Sequence, residues 1–414
     1  MKKTAKRLMR RSNLYSKINR ILVFLFILFL PTQLGRHFFL PFSYLSGVRV
    51  DYLAPTIYVT DVIVFFLALI NIRPIFSVFR QKSLLLILIL FIPNVIFARS
   101  FPVALYQYMK IIEVIIVGIL AYQQIIKERK LYIAFLIAGL FQFLLAILQL
   151  STKHSLQGVF YFFGERYLTL SLPGIAKAAL NGVELLRPYG TFSHPNSLAG
   201  FFLLIYIWTL TNKKNASLFL KYFILFVSIC LILISFSKAA IITLILLTIT
   251  YLSLSTKKCR FCFFARIIIL ATVGLLFLQA STDPLSLQKR LELMNNSFKI
   301  ILQQPFIGTG IGNYLIAQNQ FSSKFSYFFN QPVHNIFLLF FAESGLILGG
   351  FIFILFVRFL KKWFDSRYLF IIGAIIMTGL IDHYWLTLQQ NLLLAGFLIG
   401  MSLKRRIKAS QEIS

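Results

Sequence analysis

Apolar residues run through this chain in long stretches, each closed by a short polar or basic segment. A bilayer core takes about 20 apolar residues per helical span. The pattern therefore predicts an all-α, polytopic transmembrane bundle of about twelve spans. These run over 20–35, 55–72, 83–97, 103–123, 131–150, 195–211, 217–236, 239–255, 267–280, 334–357, 368–386 and 387–403. Two long hydrophilic segments, 151–194 and 281–333, interrupt the series. In the second, Leu287, Leu291, Met294, Phe298 and Ile301 recur at spacings of 4, 3, 4 and 3. Lys289, Arg290, Glu292, Asn295, Asn296 and Lys299 fill the other face, which predicts an amphipathic helix. Such a helix packs over the ends of the bundle, or lies in the headgroup plane beside a lipid-linked substrate, or both. No internal repeat is visible, and residues 1–414 read as a single integral membrane domain.

Composition agrees. Hydrophobic residues make up 58% of the chain and charged residues only 13%, against about 25% charged in an ordinary soluble domain. A mean hydropathy of +0.81 excludes a soluble globular protein and a disordered one. Three cysteines in 414 residues exclude a disulfide scaffold. The net charge of +30 would suggest nucleic acid on a soluble chain. Its placement changes that reading, because 29 of the 42 Lys and Arg fall in seven segments that an even span count puts on one side. This is the positive-inside pattern, with both termini cytoplasmic and no nucleic-acid partner. The basic tail and first apolar run lack a small-residue cleavage site before Pro31, so the run reads as a retained span. The same topology sets both hydrophilic segments and all five histidines on the outer side, where the specific chemistry is expected.

Two short patterns are set aside. Cys259-Arg-Phe-Cys262 has metal-like spacing but no second ligand pair on its side, and reads as two reduced cysteines. Gly308-Thr-Gly-Ile-Gly312 lacks the preceding strand and glycine spacing of a dinucleotide loop, and reads as a flexible turn after Pro305.

Three constellations could carry chemistry. The first is Arg187-Pro-Tyr-Gly-Thr-Phe-Ser-His194-Pro-Asn196, just before the sixth span. Arg187 is either a snorkelling cation at a helix end or a fork for phosphate oxygens. The second is Ser235-Phe-Ser237-Lys238, between spans seven and eight. Lys238 either snorkels in a tight hairpin or neutralises an anion. The third is His334-Asn335, followed by Gly345, at the start of span ten. His334 either caps the helix and orders the outer loop, or serves as a neutral imidazole base. Two cations and a base at span ends on one face would suit transfer from a pyrophosphate-linked donor. Positive charge would stabilise the leaving pyrophosphate, and the base would take the proton of the acceptor hydroxyl.

These motifs resemble the O-antigen ligase and polymerase family, most firmly over 140–400. The resemblance implies a metal-independent, inverting glycosyltransferase of the bacterial cytoplasmic (inner) membrane, a multi-pass protein without a cofactor. It implies an undecaprenyl-pyrophosphate-linked glycan as donor, a glycan, lipid or protein hydroxyl as acceptor, and work in cell-surface polysaccharide assembly. It assigns His334 to acceptor activation and Arg187 and Lys238 to the pyrophosphate, with His194, Asn196, Ser237 and Asn335 in support. The chain departs from the family in having Lys238 where Arg is usual. It also has Leu348 where Gly, Thr or Tyr is expected, with Gly349 one place late. Ligase, repeat-unit polymerase and protein O-oligosaccharyltransferase share the pattern, and the ligase is preferred by family name alone. No metal is expected, because no outer-side cluster in the sequence offers three or four ligands.

A transporter or flippase is the rival from another class. Lys110 and Glu113 share a helix face three residues apart, and Glu343 and Asp382-His383 could extend a proton relay. A structural ion pair explains Lys110 and Glu113 better, because a lone pair without a continuing polar chain conducts nothing, and no two related halves are visible. Nine residues place His334 and Glu343 on opposite helix faces, so they are not a pair.

Overall fold

The computed structural model describes residues 2–404 apart from 80, 181, 213–216, 256–259, 281–284, 324 and 326–329. Cys259 and the basic positions 213–214, 257–258 and 405–408 therefore lie outside the described residues.

The chain is mostly helical. In order, the helices are α1 (Lys2–Phe29), α2 (Val59–Ile70), α3 (Ile72–Phe79), α4 (Lys82–Ile96), α5 (Phe101–Tyr122) and α6 (Glu128–Thr152). Then follow α7 (Val159–Phe162), α8 (Pro195–Thr211), α9 (Leu218–Ile234), α10 (Lys238–Ser255), α11 (Arg260–Leu278) and α12 (Ser286–Gln303). The last are α13 (Tyr314–Gln318), α14 (Ile336–Ser344), α15 (Leu346–Trp363), α16 (Leu369–Gly379), α17 (Tyr384–Thr387) and α18 (Gln389–Met401). Three small antiparallel pairs decorate the loops: β1 (Gly35–His37) with β4 (Thr56–Tyr58), β2 (Tyr44–Leu45) with β3 (Val48–Arg49), and β5 (Lys177–Leu180) with β6 (Val183–Leu186).

Each predicted apolar run contains helix, but the spans are shorter and more broken than expected. Among the described residues only α5 and α6 are long and apolar enough to cross a membrane, with a third if α2 and α3 form one bent span. That pair bends by 88°, and α3 is a helix where a basic loop was expected. Six further apolar helices, including α8, α9 and α16, fall below full spanning length.

Helix α8 is the centre of the fold. It is apolar on every side and buried at nearly every residue, as an all-round hydrophobic helix must be. Helices α6, α9, α10, α16 and α18 surround it through one continuous apolar core. Its amino end, not its middle, meets the polar residues.

The run 334–357 is two helices, not one. The break is at Gly345, whose φ of 72° is a conformation side chains disfavour. Segment 305–312 fills the break. Leu346 N–H donates to Pro305 O at 2.7 Å, Thr309 N–H to Ala342 O at 3.0 Å and Gly310 N–H to Glu343 O at 3.0 Å. Asn94 seals the joint from α4, donating to Ile307 O at 2.7 Å and Glu343 O at 2.8 Å and accepting from Ile311 N–H at 2.9 Å. The Gly308–Gly312 turn is thus a packed plug, with all three glycines at positive φ. The Gly312 and Tyr314 N–H groups donate to the Glu343 carboxylate.

The amphipathic helix forms as α12, but it buries Leu293, Asn296, Ser297, Ile300 and Ile301. Leu287, Leu291 and Phe298 of the predicted stripe are exposed, and Leu302 beside them is 75% exposed. The helix therefore packs against α14 on one face and presents a second apolar row outward.

A Cβ at Gly345 would lie 2.6 Å from Phe306 C and 2.7 Å from Gly308 N, both backbone. Neither neighbour can yield, and the positive φ itself costs an alanine about 1–2 kcal/mol. Gly345→Ala should lower the melting temperature and cut activity together, whereas an alanine at Gly350, where added bulk meets nothing within 4 Å, should do neither. An unchanged melting curve for Gly345→Ala would contradict the packing described.

Candidate functional site

The polar residues converge where α8, α14 and the gap between α16 and α17 meet. Asp382 stands in that gap at 5% exposure. Its Oδ2 accepts from Asn196 Nδ2 at 2.8 Å, and its Oδ1 accepts from the His383 N–H at 2.8 Å. Asn196 turns its other amide atom to Arg187, whose Nη2 donates to Oδ1 at 2.6 Å. Arg187 Nε donates to the Ser235 carbonyl at 2.8 Å. A buried polar line thus runs from the α9–α10 hairpin through Arg187 and Asn196 to Asp382.

His334 closes the line. Its Nδ1 lies 3.4 Å from Asp382 Oδ1, within ion-pair reach but out of hydrogen-bond alignment. Its ring sits 5.1 Å from that of His383. Asn335, not His334, caps α14, its Oδ1 accepting from Phe337 and Leu338 N–H at 2.9 and 3.0 Å. Asn335 Nδ2 also donates to Leu380 O at 3.1 Å, tying α14 to the end of α16. The capping role considered for His334 thus belongs to Asn335.

His194 does act as a cap. Its Nδ1 accepts from the Asn196 N–H at 3.1 Å at the start of α8. Burial pushes its imidazole down to about 3, so it is neutral. Arg187 is 8% exposed. Burial lowers its guanidinium to about 10, which still leaves it charged at neutral pH. Two of its five N–H groups are bound as described, and three remain.

Lys238 is placed less tightly. It opens α10, three residues after the carbonyl that holds Arg187, and its side chain is exposed. Among the described residues no hydrogen bond or ion pair reaches it. Ser237 is buried, its N–H donating to Ser235 Oγ at 3.2 Å, and serves the turn of the hairpin.

Two glutamines hold the Arg187 loop. Gln142 and Gln149 lie seven residues apart on α6, so they share a face, and both are fully buried. Gln149 Oε1 accepts from Tyr189 and Gly190 N–H at 3.0 and 2.8 Å, and Gln142 Oε1 from Thr191 N–H at 3.0 Å. Glu165 anchors Gln149 in turn, accepting from its Nε2 at 2.8 Å. The sequence signal was two amides in an otherwise apolar run. From above, Arg290 of α12 donates to Ile381 O at 3.2 Å, so the amphipathic helix rests beside Asp382.

The Lys110–Glu113 pair exists, at 3.2 Å, but Lys110 also meets Asp61 at 2.6 Å. Gln389 donates to Asp61 at 2.6 Å, making a four-member cluster that joins α2, α5 and α18. Among the described residues no hydrogen bond links this cluster to Asp382 or to Glu343. A cavity of about 660 Å³ lies beside it, lined mainly by apolar side chains of α4, α5, α14, α15 and α18. The cavity reaches Thr387, one turn from His383.

The expectation that no outer-side group offers three metal ligands is corrected by the fold. His334, Asp382 and His383 bring one ligand atom each within 4.8 Å of one another. The sequence hides this because His334 is distant in the chain from the other two.

Mostly helical, strongly apolar and polar at one shared junction, this is a membrane protein. The O-antigen ligase family model matches residues 223–354, and the kinship read from the motifs is shown over that stretch. The match supports an O-antigen ligase- or polymerase-like membrane enzyme. Ser237, Lys238, His334, Asn335 and Gly345 fall inside the match, while Arg187, His194, Asn196 and Asp382 flank it. No curated protein matches the chain.

Arg187 is both cation and scaffold. Arg187→Ala would strand the Ser235 carbonyl and the Asn196 amide oxygen, at about 1–3 kcal/mol for each unsatisfied group. The variant should melt lower as well as lose activity. Arg187→Lys should recover much of the stability and little of the activity, because one ammonium cannot reproduce the fork. A lysine variant of full activity would show that the fork is dispensable.

Proposed function

We propose that the chain is a glycosyltransferase of the O-antigen ligase type, spanning the bacterial inner membrane about twelve times with both ends cytoplasmic. It moves a glycan from undecaprenyl pyrophosphate to an acceptor hydroxyl on the outer face. The observation that carries this reading is the buried line from Arg187 through Asn196 to Asp382 and His334. A guanidinium and an imidazole on one buried framework support an anion-binding fork beside a base.

In this reading Asp382 holds the His334 Nδ1–H, which leaves the Nε2 lone pair for the acceptor. The loose 3.4 Å contact tightens when the acceptor is bound, as apo catalytic hydrogen bonds often do. Nε2 takes the acceptor proton while the hydroxyl oxygen forms its bond to the anomeric carbon. The bond from that carbon to the pyrophosphate oxygen breaks, and the electron pair leaves with the pyrophosphate. The free N–H groups of Arg187, with Lys238 nearby in the hairpin, stabilise that charge. A single displacement of this kind inverts the anomeric centre. The apolar cavity that reaches Thr387 suits the hydrocarbon chain of a lipid-linked substrate. The isolation of the Lys110 cluster supports a structural ion group over a proton relay.

Positioned acid–base groups contribute about 10²–10⁴-fold to rate. His334→Ala and His334→Gln should both lose turnover by about that factor in a reconstituted assay with undecaprenyl-pyrophosphate glycan, while still binding donor. A folded, active His334→Gln protein would remove the mechanism, because an amide can hydrogen-bond the hydroxyl but cannot accept its proton. Topology has its own check. Reporters fused after Arg367 should read cytoplasmic, and those within 286–303 exoplasmic. A cytoplasmic reading for 286–303 would put the proposed site on the wrong side.

A further inference from the structure

We infer that His334, Asp382 and His383 form a binding site for a zinc-class divalent cation, and that its occupancy silences the transferase. The silencing rests on the role proposed above for His334; the binding does not.

The argument begins with the tautomer of His383. Thr387 Oγ1 donates its single hydrogen to the His383 carbonyl at 3.2 Å. The same oxygen lies 2.7 Å from His383 Nδ1. In the site inferred here the hydroxyl accepts at this shorter contact, which puts the ring proton on Nδ1 and leaves the Nε2 lone pair free. That lone pair faces Asp382 Oδ1 at 4.0 Å, too far for a second ring proton to be hydrogen-bonded. His334 Nδ1, 3.4 Å from the same oxygen, is buried without a hydrogen-bond partner. The carboxylate, the His383 Nε2 lone pair and the His334 Nδ1, whose hydrogen a metal would displace to Nε2, thus converge on one point, with one ligand atom of each residue within 4.8 Å of the others.

The donor set defines the ion. Two imidazole nitrogens and one carboxylate oxygen, with a fourth position open, are the ligands of a tetrahedral zinc site. Calcium and magnesium require oxygen cages and are poorly matched. Metal–ligand bonds of about 2.0–2.2 Å put tetrahedral ligands about 3.3–3.6 Å apart. The His334–Asp382 separation of 3.4 Å falls in that range, and the His383–Asp382 separation of 4.0 Å lies above it and closes by a small shift of the carboxylate toward the His383 ring. The outer shell is already built. Thr387 fixes the His383 ring and Asn196 fixes Asp382, the kind of support that ligating residues require.

Silencing follows from proton placement. A neutral imidazole carries one N–H. When the metal takes the Nδ1 lone pair of His334, that hydrogen moves to Nε2. The atom that should accept the acceptor's proton then carries one of its own, and Asp382 is withdrawn to the metal.

The test uses the full chain in detergent, stripped with a chelator and titrated with Co²⁺ as a coloured stand-in, then with Zn²⁺. One Co²⁺ per chain should bind with the strong visible bands of tetrahedral coordination, and Zn²⁺ should displace it. His383→Gln should abolish those bands. Thr387→Val, which keeps the side-chain shape but removes the acceptor for Nδ1–H, should weaken binding about 10–100-fold. Transfer should fall as the site fills, and a chelator should restore it. Absence of stoichiometric Co²⁺ binding, or binding unaltered in both variants, would overturn the site and leave the transferase reading intact. Stoichiometric binding with undiminished transfer would uphold the site and overturn the silencing, and with it the use of His334 as base.

Discussion

A carboxylate cannot be buried without partners, and the arrangement around Asp382 follows from that requirement. An unpaired ion in an apolar interior costs several kcal/mol. Here the partners come from separate parts of the chain: Asn196 at the head of α8, the His383 N–H at the entry to α17, and the His334 ring at the head of α14. Each can serve only if its helix ends at the right place. The interaction therefore fixes where α8 begins, where α16 stops and how α14 is aimed. Arg187 joins because Asn196 has a second amide atom to satisfy, and its guanidinium in turn reaches the α9–α10 hairpin.

The same accounting explains the short helices. Every break exposes backbone groups that lipid cannot solvate. Broken backbone is tolerated at depth only where protein satisfies it, and amide side chains do so repeatedly here. Asn94 closes the α14–α15 joint, Gln142 and Gln149 hold the 189–191 turn, and Asn335 caps α14. These amides stand in runs that are otherwise apolar. They support the residues that carry the chemistry, and they were not recognised from the sequence because a lone amide in a hydrophobic run has no local partner to explain it.

Much of the rest was legible. Hydrophobic runs located the helices closely: the sixth was placed at 195–211 and α8 occupies those residues. Arg187, His194, Asn196 and His334 were singled out from local motifs, and the fold brings them to one junction. The errors have common causes. Gly345 was noticed as a signature, but a continuous apolar run conceals a helix break, since the break is made by a distant loop. The stripe on α12 divides in the fold, with Met294 and Ile301 packed inward and Leu287, Leu291 and Phe298 exposed. Asp382 and Asp61 were underweighted for the same reason as the amides. Their meaning lies in contacts 186 and 328 residues away, to Asn196 and Gln389 respectively.

The plug formed by 305–312 has a consequence for how the chain can diversify. Its hydrogen bonds to Ala342, Glu343 and Leu346 make the end of the long outer segment part of the α14–α15 joint. Among the described residues of 319–325 no hydrogen bond reaches that joint. Insertions, deletions and substitutions can accumulate in that stretch while the joint keeps the histidine in register. The molecule is in this sense divided into a variable rim and an invariant hinge point. A lineage could change what it recognises on the outside by rewriting the rim, with the reactive geometry inherited unaltered beneath it.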